Sequence, residues 1–162
     1  MITMADIAEL RIAYPVDTRD AERLALEHLA EAMVRINVDW FQEHPDAPCC
    51  LSCGGVEYED PRLCGVGVIC QSVETAPALL ARRRGTCLSL AAYAAAKARL
   101  KGHACAVAVA PLLDQRDRPI PQAWHAVVVY RDGSIQDPTN DLLAARAEAP
   151  RTADAPCACE AQ

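Results

Sequence analysis

The stretch RRRGTCLSLAAYAAAKARLKG, Arg82 to Gly102, reads as a helix that opens at Cys87 and closes at Gly102. Alanine and leucine favour helix and a glycine past the last turn ends it, so the segment needs little help from its surroundings. Leu90, Ala91, Ala94, Ala95 and Ala98 make a face of small residues that predicts close packing against a sheet. Such a helix has no structural need for a thiol in its first turn. The amides and the dipole there favour negative charge, so a cysteine at that place is drawn toward the thiolate, which attacks carbonyl carbon. Gly85 is expected to leave room for a substrate backbone. The Cys87 amide is expected to point to where an oxyanion forms.

A nucleophilic cysteine needs a base, and the base needs an orienting acceptor. Downstream, HACAVAVAPLL (103–113) and AWHAVVVY (123–130) alternate as strands, with the charged loop DQRDRP between them. His125 interrupts the second strand, where an imidazole is otherwise an odd choice. The turn RDGS leads into a third expected strand, IQDPT (135–139), and an antiparallel hairpin sets Asp137 beside His125. Taken singly, Cys87 reads as a small core residue, His125 as a satisfied core histidine and DPT as a turn. Their joint order, Cys, His, Asp, favours a triad.

The two segments from Arg82 to Val109 and from Ala123 to Asp141 resemble the nucleophile, histidine and aspartate segments of the transglutaminase-like cysteine protease superfamily. The likeness spans about Thr75 to Leu142. It includes the glycine two before the cysteine, the tryptophan beside the histidine and the Asp-Pro-Thr after the hairpin. It implies a papain-like fold of the α+β class: N-terminal helices, with the nucleophile helix packed on a small antiparallel sheet. It also implies Cys87 as nucleophile, His125 as general base and then acid, and Asp137 as orienting group. The chain departs from the family in having Leu88 and Ser89 where an acidic residue commonly follows the cysteine. Trp40, Gln71 and Gln122 are the candidates for a second oxyanion donor.

Upstream, Leu26, Leu29, Ala30, Met33, Ile36 and Trp40 recur at helical spacing between Asp17 and Glu43, so an amphipathic helix is expected, capped by Asp17 or Thr18 and stopped before Pro45. A loop dense in proline, glycine and cysteine follows, with room for a short strand, and then a short helix from Thr75 with Pro77 in its first turn. Arg82 to Arg84 read as a solvated helix end. Nine cysteines occur in all. Cys49, Cys50, Cys53 and Cys64 invite a structural zinc reading, because CLSC has the two-residue gap of a zinc knuckle. The second paired CxxC is missing, and a reduced cysteine loop or a disulfide fits as well. Cys157 and Cys159 read as exposed thiols or a contact with something outside the fold.

At 162 residues with 52% apolar side chains, one domain is expected over residues 1–143, with its core at 75–142. Residues 144–162, rich in alanine, proline and charge, read as a tail. A net charge of −6 argues against nucleic acid and membrane surfaces as partners. With acids early and no apolar run of roughly 18 to 20 residues, a cytoplasmic protein with reduced thiols is expected. The expected function is a thiol hydrolase, a cysteine peptidase or amidase, or an acyltransferase. It would act on peptide or glutamine-like amides through a Cys87 thioester, with no cofactor and a peptide or protein substrate. The alternative is a non-catalytic module of the same fold in a larger assembly, such as a phage particle or secretion machine, with the tail engaging the assembly partner. An amine acetyltransferase is a third reading, weakened by the short chain and the lack of a recognisable coenzyme A site.

Overall fold

The computed structural model describes residues 9–11, 19–60 and 72–148. The chain runs β1 (Glu9–Arg11), α1 (Arg19–Glu43), β2 (Glu57–Tyr58), β3 (Ser72–Glu74), α2 (Ala76–Arg82), β4 (Arg84–Gly85), α3 (Cys87–Leu100), β5 (Cys105–Leu113), β6 (Pro119–Tyr130), β7 (Ile135–Gln136) and α4 (Pro138–Glu148). This is a mixed α+β architecture.

Helix α3 is the axis of the core. Leu88, Leu90, Ala91, Ala92, Tyr93, Ala95 and Ala96 are all buried, so it is apolar on nearly every side rather than on one small-residue face. A helix of that kind must be surrounded. It packs on α1, on β5 and β6, on β3 and on α4. Its far end is pinned by Arg99, whose guanidinium donates to both Glu31 oxygens at 2.9 and 2.6 Å and to the Cys105 carbonyl at 2.8 Å.

Helix α1 buries the expected apolar stripe except Trp40, which is only partly buried, and adds Val34, Phe41 and the polar Asn37. Asn37 is fully buried because its Oδ1 accepts from the Ala76 amide at 2.6 Å, which ties α1 to the start of α2. The expected cap residues Asp17 and Thr18 lie outside the described residues. Thr75 caps α2, accepting from the Ala78 amide at 3.4 Å, and Arg83 ends it in the left-handed conformation, φ 55°. The three arginines are exposed, as a helix end should be, but Arg82 is not merely solvated: it pairs with buried Glu74 and, at 2.7 Å, with Glu59.

Strands β5, β6 and β7 form an antiparallel sheet in that order, with Ala110 opposite His125 and Val128 opposite Gln136. The middle strand starts at Pro119, four residues before the sequence pattern suggests. The third strand is shorter than expected and stops at Gln136. Asp137 accepts from the Thr139 and Asn140 amides, both at 3.1 Å, and so caps α4 with Pro138 at its first position. That helix continues through residues 144–148 and buries Leu142 against α3. In two further small sheets β1 pairs with β3 antiparallel and β2 with β4 parallel; β2 is a short strand of the kind the cysteine-rich loop had room for, and the pairings were not legible from the pattern. Among the described residues no helix is long and apolar enough to cross a membrane.

Candidate active site

Cys87 is the first residue of α3, and three attachments hold it there. Thr86 accepts from the Ser89 amide as the cap. Ser89 Oγ, fully buried, accepts from the Glu74 amide at 3.1 Å and so joins the first turn to β3. On β4, the Gly85 carbonyl accepts from the Glu59 amide at 2.8 Å. Leu88 and Ser89, the two residues after the cysteine, therefore serve packing and anchoring. Gly85 does not open a path for substrate: a Cβ there would lie 2.3 Å from Leu79 Cδ1 and 3.4 Å from Leu90 Cδ2. The glycine is needed because α2 and α3 close over it.

The Cys87 side chain is buried, with its thiol donating to the Trp124 carbonyl at 3.7 Å, and its sulfur interacts with the His125 imidazole. The ring's Nε2 lies 2.7 Å from Asp137 Oδ2. The structure thus brings together the three residues singled out from the sequence. Donation from the ring to the Cys87 sulfur pushes the His125 pKa up to about 9, against the opposing effect of burial and with Asp137 adding a hydrogen bond and its charge. The imidazolium is the favoured form at neutral pH.

Asp137 is itself fixed. Its Oδ1 accepts two amides of α4, and Asn140 Nδ2 donates to Oδ2 at 2.8 Å beside the imidazole. Sequence reading missed Asn140 and the capping role of Asp137. The signal was present: Asp-Pro followed by a helical run is a helix start rather than a strand end.

Of the donors proposed for the second half of an oxyanion hole, Trp40 is stacked on His44, ring centroids 4.4 Å apart, and meets Phe41 edge-on. Gln71 and the side chain of Gln122 lie outside the described residues. The Cys87 amide, in the first helical turn, has no acceptor within its own helix. Beside His125, the buried Trp124 indole lies under the Arg19 guanidinium at 5.4 Å, and its Nε1–H meets no acceptor among the described residues.

A second group of sulfurs lies away from the triad. Cys49, Cys50 and Cys53 bring their sulfurs within 4.8 Å of one another, Cys49 to Cys53 at 3.7 Å and Cys50 to Cys53 at 3.0 Å, and Cys53 is disulfide-bonded. Cys64, Cys157 and Cys159 lie outside the described residues. A cavity of about 340 Å³ between this loop, α3 and the β6–β7 hairpin is lined by Cys49, Tyr93, Lys97, Lys101, His103 and Tyr130, among others, and by no member of the triad.

No family model, no curated protein and no solved structure matches the chain.

Proposed function

We propose that the protein is a thiol hydrolase of transglutaminase-like type acting on peptide or glutamine-like amides. The observation that carries this reading is the imidazole of His125 held between the Cys87 sulfur and the Asp137 carboxylate. In this reading the Cys87 thiolate adds to the amide carbon, and the Cys87 N–H, at a helix N-terminus, donates to the developing oxyanion. The His125 imidazolium then gives its proton to the departing amine, leaving a thioester on Cys87. Neutral His125 next takes a proton from water, which attacks the thioester and releases the acid. An incoming amine in place of water would give transfer.

Near-complete burial of Cys87, 3% exposed, favours a second reading, a module of the same fold without turnover. One experiment separates the two. An electrophilic thiol probe should label Cys87 faster than the other cysteines, and Asp137→Asn should slow that labelling and any turnover by about 10² to 10⁴-fold. Asparagine caps a helix as well as aspartate does, so α4 and the fold should survive the change. Labelling of Cys87 no faster than that of Cys105, or unchanged by Asp137→Asn, would leave the module.

A further inference from the structure

The cysteine loop has no part in that chemistry, yet it is built with care. Cys49 to Gly55 is a chain of tight turns in which the Gly54 amide donates to Cys50 at 3.2 Å, the Gly55 amide to Ser52 at 3.0 Å and the Val56 amide to Leu51 at 3.1 Å. Gly55 takes φ 63°, which glycine adopts without strain, and Leu51 is buried beneath the turn. Two residues of α3 hold the loop from below: Tyr93 Oη donates to the Pro48 carbonyl at 2.6 Å and Lys97 Nζ to the Ala47 carbonyl at 3.3 Å.

We infer that, once the Cys53 disulfide is reduced, Cys49, Cys50 and Cys53 together bind one thiophilic divalent cation, with Zn²⁺ as the natural fit. Thiolates at about 2.3 Å from a tetrahedral zinc stand about 3.8 Å apart. The 3.7 Å between Cys49 and Cys53 already matches that edge, the 3.0 Å between Cys50 and Cys53 has to open to reach it, and all three sulfurs lie within 4.8 Å of one another. Three thiolates on Zn²⁺ leave a net charge of −1. Burial lowers the Lys97 pKa while the charge of Cys49 raises it, so a negative charge on this sulfur is one that Lys97 can partly offset. Cys49 also lines the cavity of about 340 Å³, which gives an ion a way in. The ligand set is all sulfur among the described residues, which selects Zn²⁺ over Mg²⁺ or Ca²⁺. The chemistry balances as a reduction and an exchange. A dithiol reductant supplies two electrons and two protons to the disulfide and leaves as its own disulfide. Zn²⁺ then displaces the three thiol protons into solution.

The full chain, reduced with a phosphine and freed of metal, would be titrated with Co²⁺ and then with Zn²⁺. The expected result is a near-ultraviolet thiolate-to-cobalt band with the visible bands of a tetrahedral site, saturating at one equivalent and bleached by Zn²⁺. Mapping by alkylation should find Cys49, Cys50 and Cys53 all protected when zinc is bound, with no variant needed. Each of Cys49→Ser, Cys50→Ser and Cys53→Ser should weaken zinc binding by more than the roughly 10- to 100-fold typical of losing an outer-shell partner. Cys105→Ser should leave it unchanged. Absence of the thiolate–cobalt band in the reduced chain, or zinc protection that misses any of the three cysteines, would overturn the site.

Discussion

Two of the settings in which sulfur occurs among the described residues differ in what holds it. Cys87 starts a helix buried on nearly every side, and the groups around it arrive on regular elements: His125 on the middle strand, Asp137 at the start of α4, Ser89 bonded to β3. The Cys49–Cys53 loop has no strand or helix of its own. It stands on turns and on two side chains of α3. The lesson is one of placement. Regular elements fix a donor–acceptor pair well enough to move a proton, whereas a turn gathers identical ligands and lets an ion or a disulfide set the final geometry.

The sharpest test of this contrast is pH. His125 has an ordinary value near 6.5 that the folded site raises to about 9, so folding favours the imidazolium. A raised cation contributes stability that is fully present below about pH 6.5 and is lost as pH rises through about 9. Thermal stability of the wild type relative to His125→Gln should therefore shrink across that window. Hydrolysis, which needs the imidazolium to protonate the amine, should fall about tenfold per pH unit above 9, whereas alkylation of Cys87, which needs no such proton, should not. Parallel pH profiles for the two would break the assignment of His125 as acid. The cysteine loop should show neither behaviour.

Glycines give a second comparison. Gly85→Ala would press a methyl to 2.3 Å from Leu79, itself fully buried, and overpacking of that kind costs about 1 to 3 kcal/mol. Because Gly85 leads directly into Cys87, chemical denaturation should show the loss of stability and probe labelling should show a displaced sulfur. Gly54→Ala in the cysteine loop meets Leu80 Cδ2 at 2.6 Å, but Leu80 is only partly buried and has somewhere to turn. The loop substitution should cost less. Equal costs would mean that the loop is packed as tightly as the start of α3.

The same difference decides what could be read in advance. The grouping of Cys87, His125 and Asp137 was legible because two of them sit on elements with a period, a helical run after Thr86 and an alternating strand through His125, and a turn returns the chain to Asp137. The α+β class followed from that order of elements. What stayed hidden depends on partners far along the chain. Asn37 looks misplaced on an apolar stripe until the Ala76 amide, 39 residues away, is seen to need an acceptor. Gly85 looks like space for a substrate until Leu79 fills it. The parallel pairing of β2 with β4 joins residues 57–58 to 84–85, and no local pattern announces a pair of two-residue strands. Asp137 was read for its charge, and its cap was overlooked because a strand had already been assigned through it.

The smallest expected effect bears most directly on whether the two sulfur settings are independent. Tyr93 lies on α3 between them, buried, with its ring edge-on to Phe41 at 5.0 Å and its hydroxyl donating to Pro48 at 2.6 Å. Tyr93→Phe keeps the ring and its packing and removes one hydrogen bond, which costs about 0.5 to 1.5 kcal/mol. The helix itself has no reason to move, since its start is held by Thr86, Ser89 and the Gly85 carbonyl rather than by Tyr93. In the reduced protein the loop should open more often, so the Gly54 and Val56 amides, bonded within it, should exchange hydrogen several-fold faster, by the same factor that about 1 kcal/mol sets in an equilibrium. Cys87 labelling should stay at the wild-type rate. A Cys87 rate that rises in step with the exchange of those amides would show one cooperative unit, and the loop would then be part of what holds the nucleophile in place.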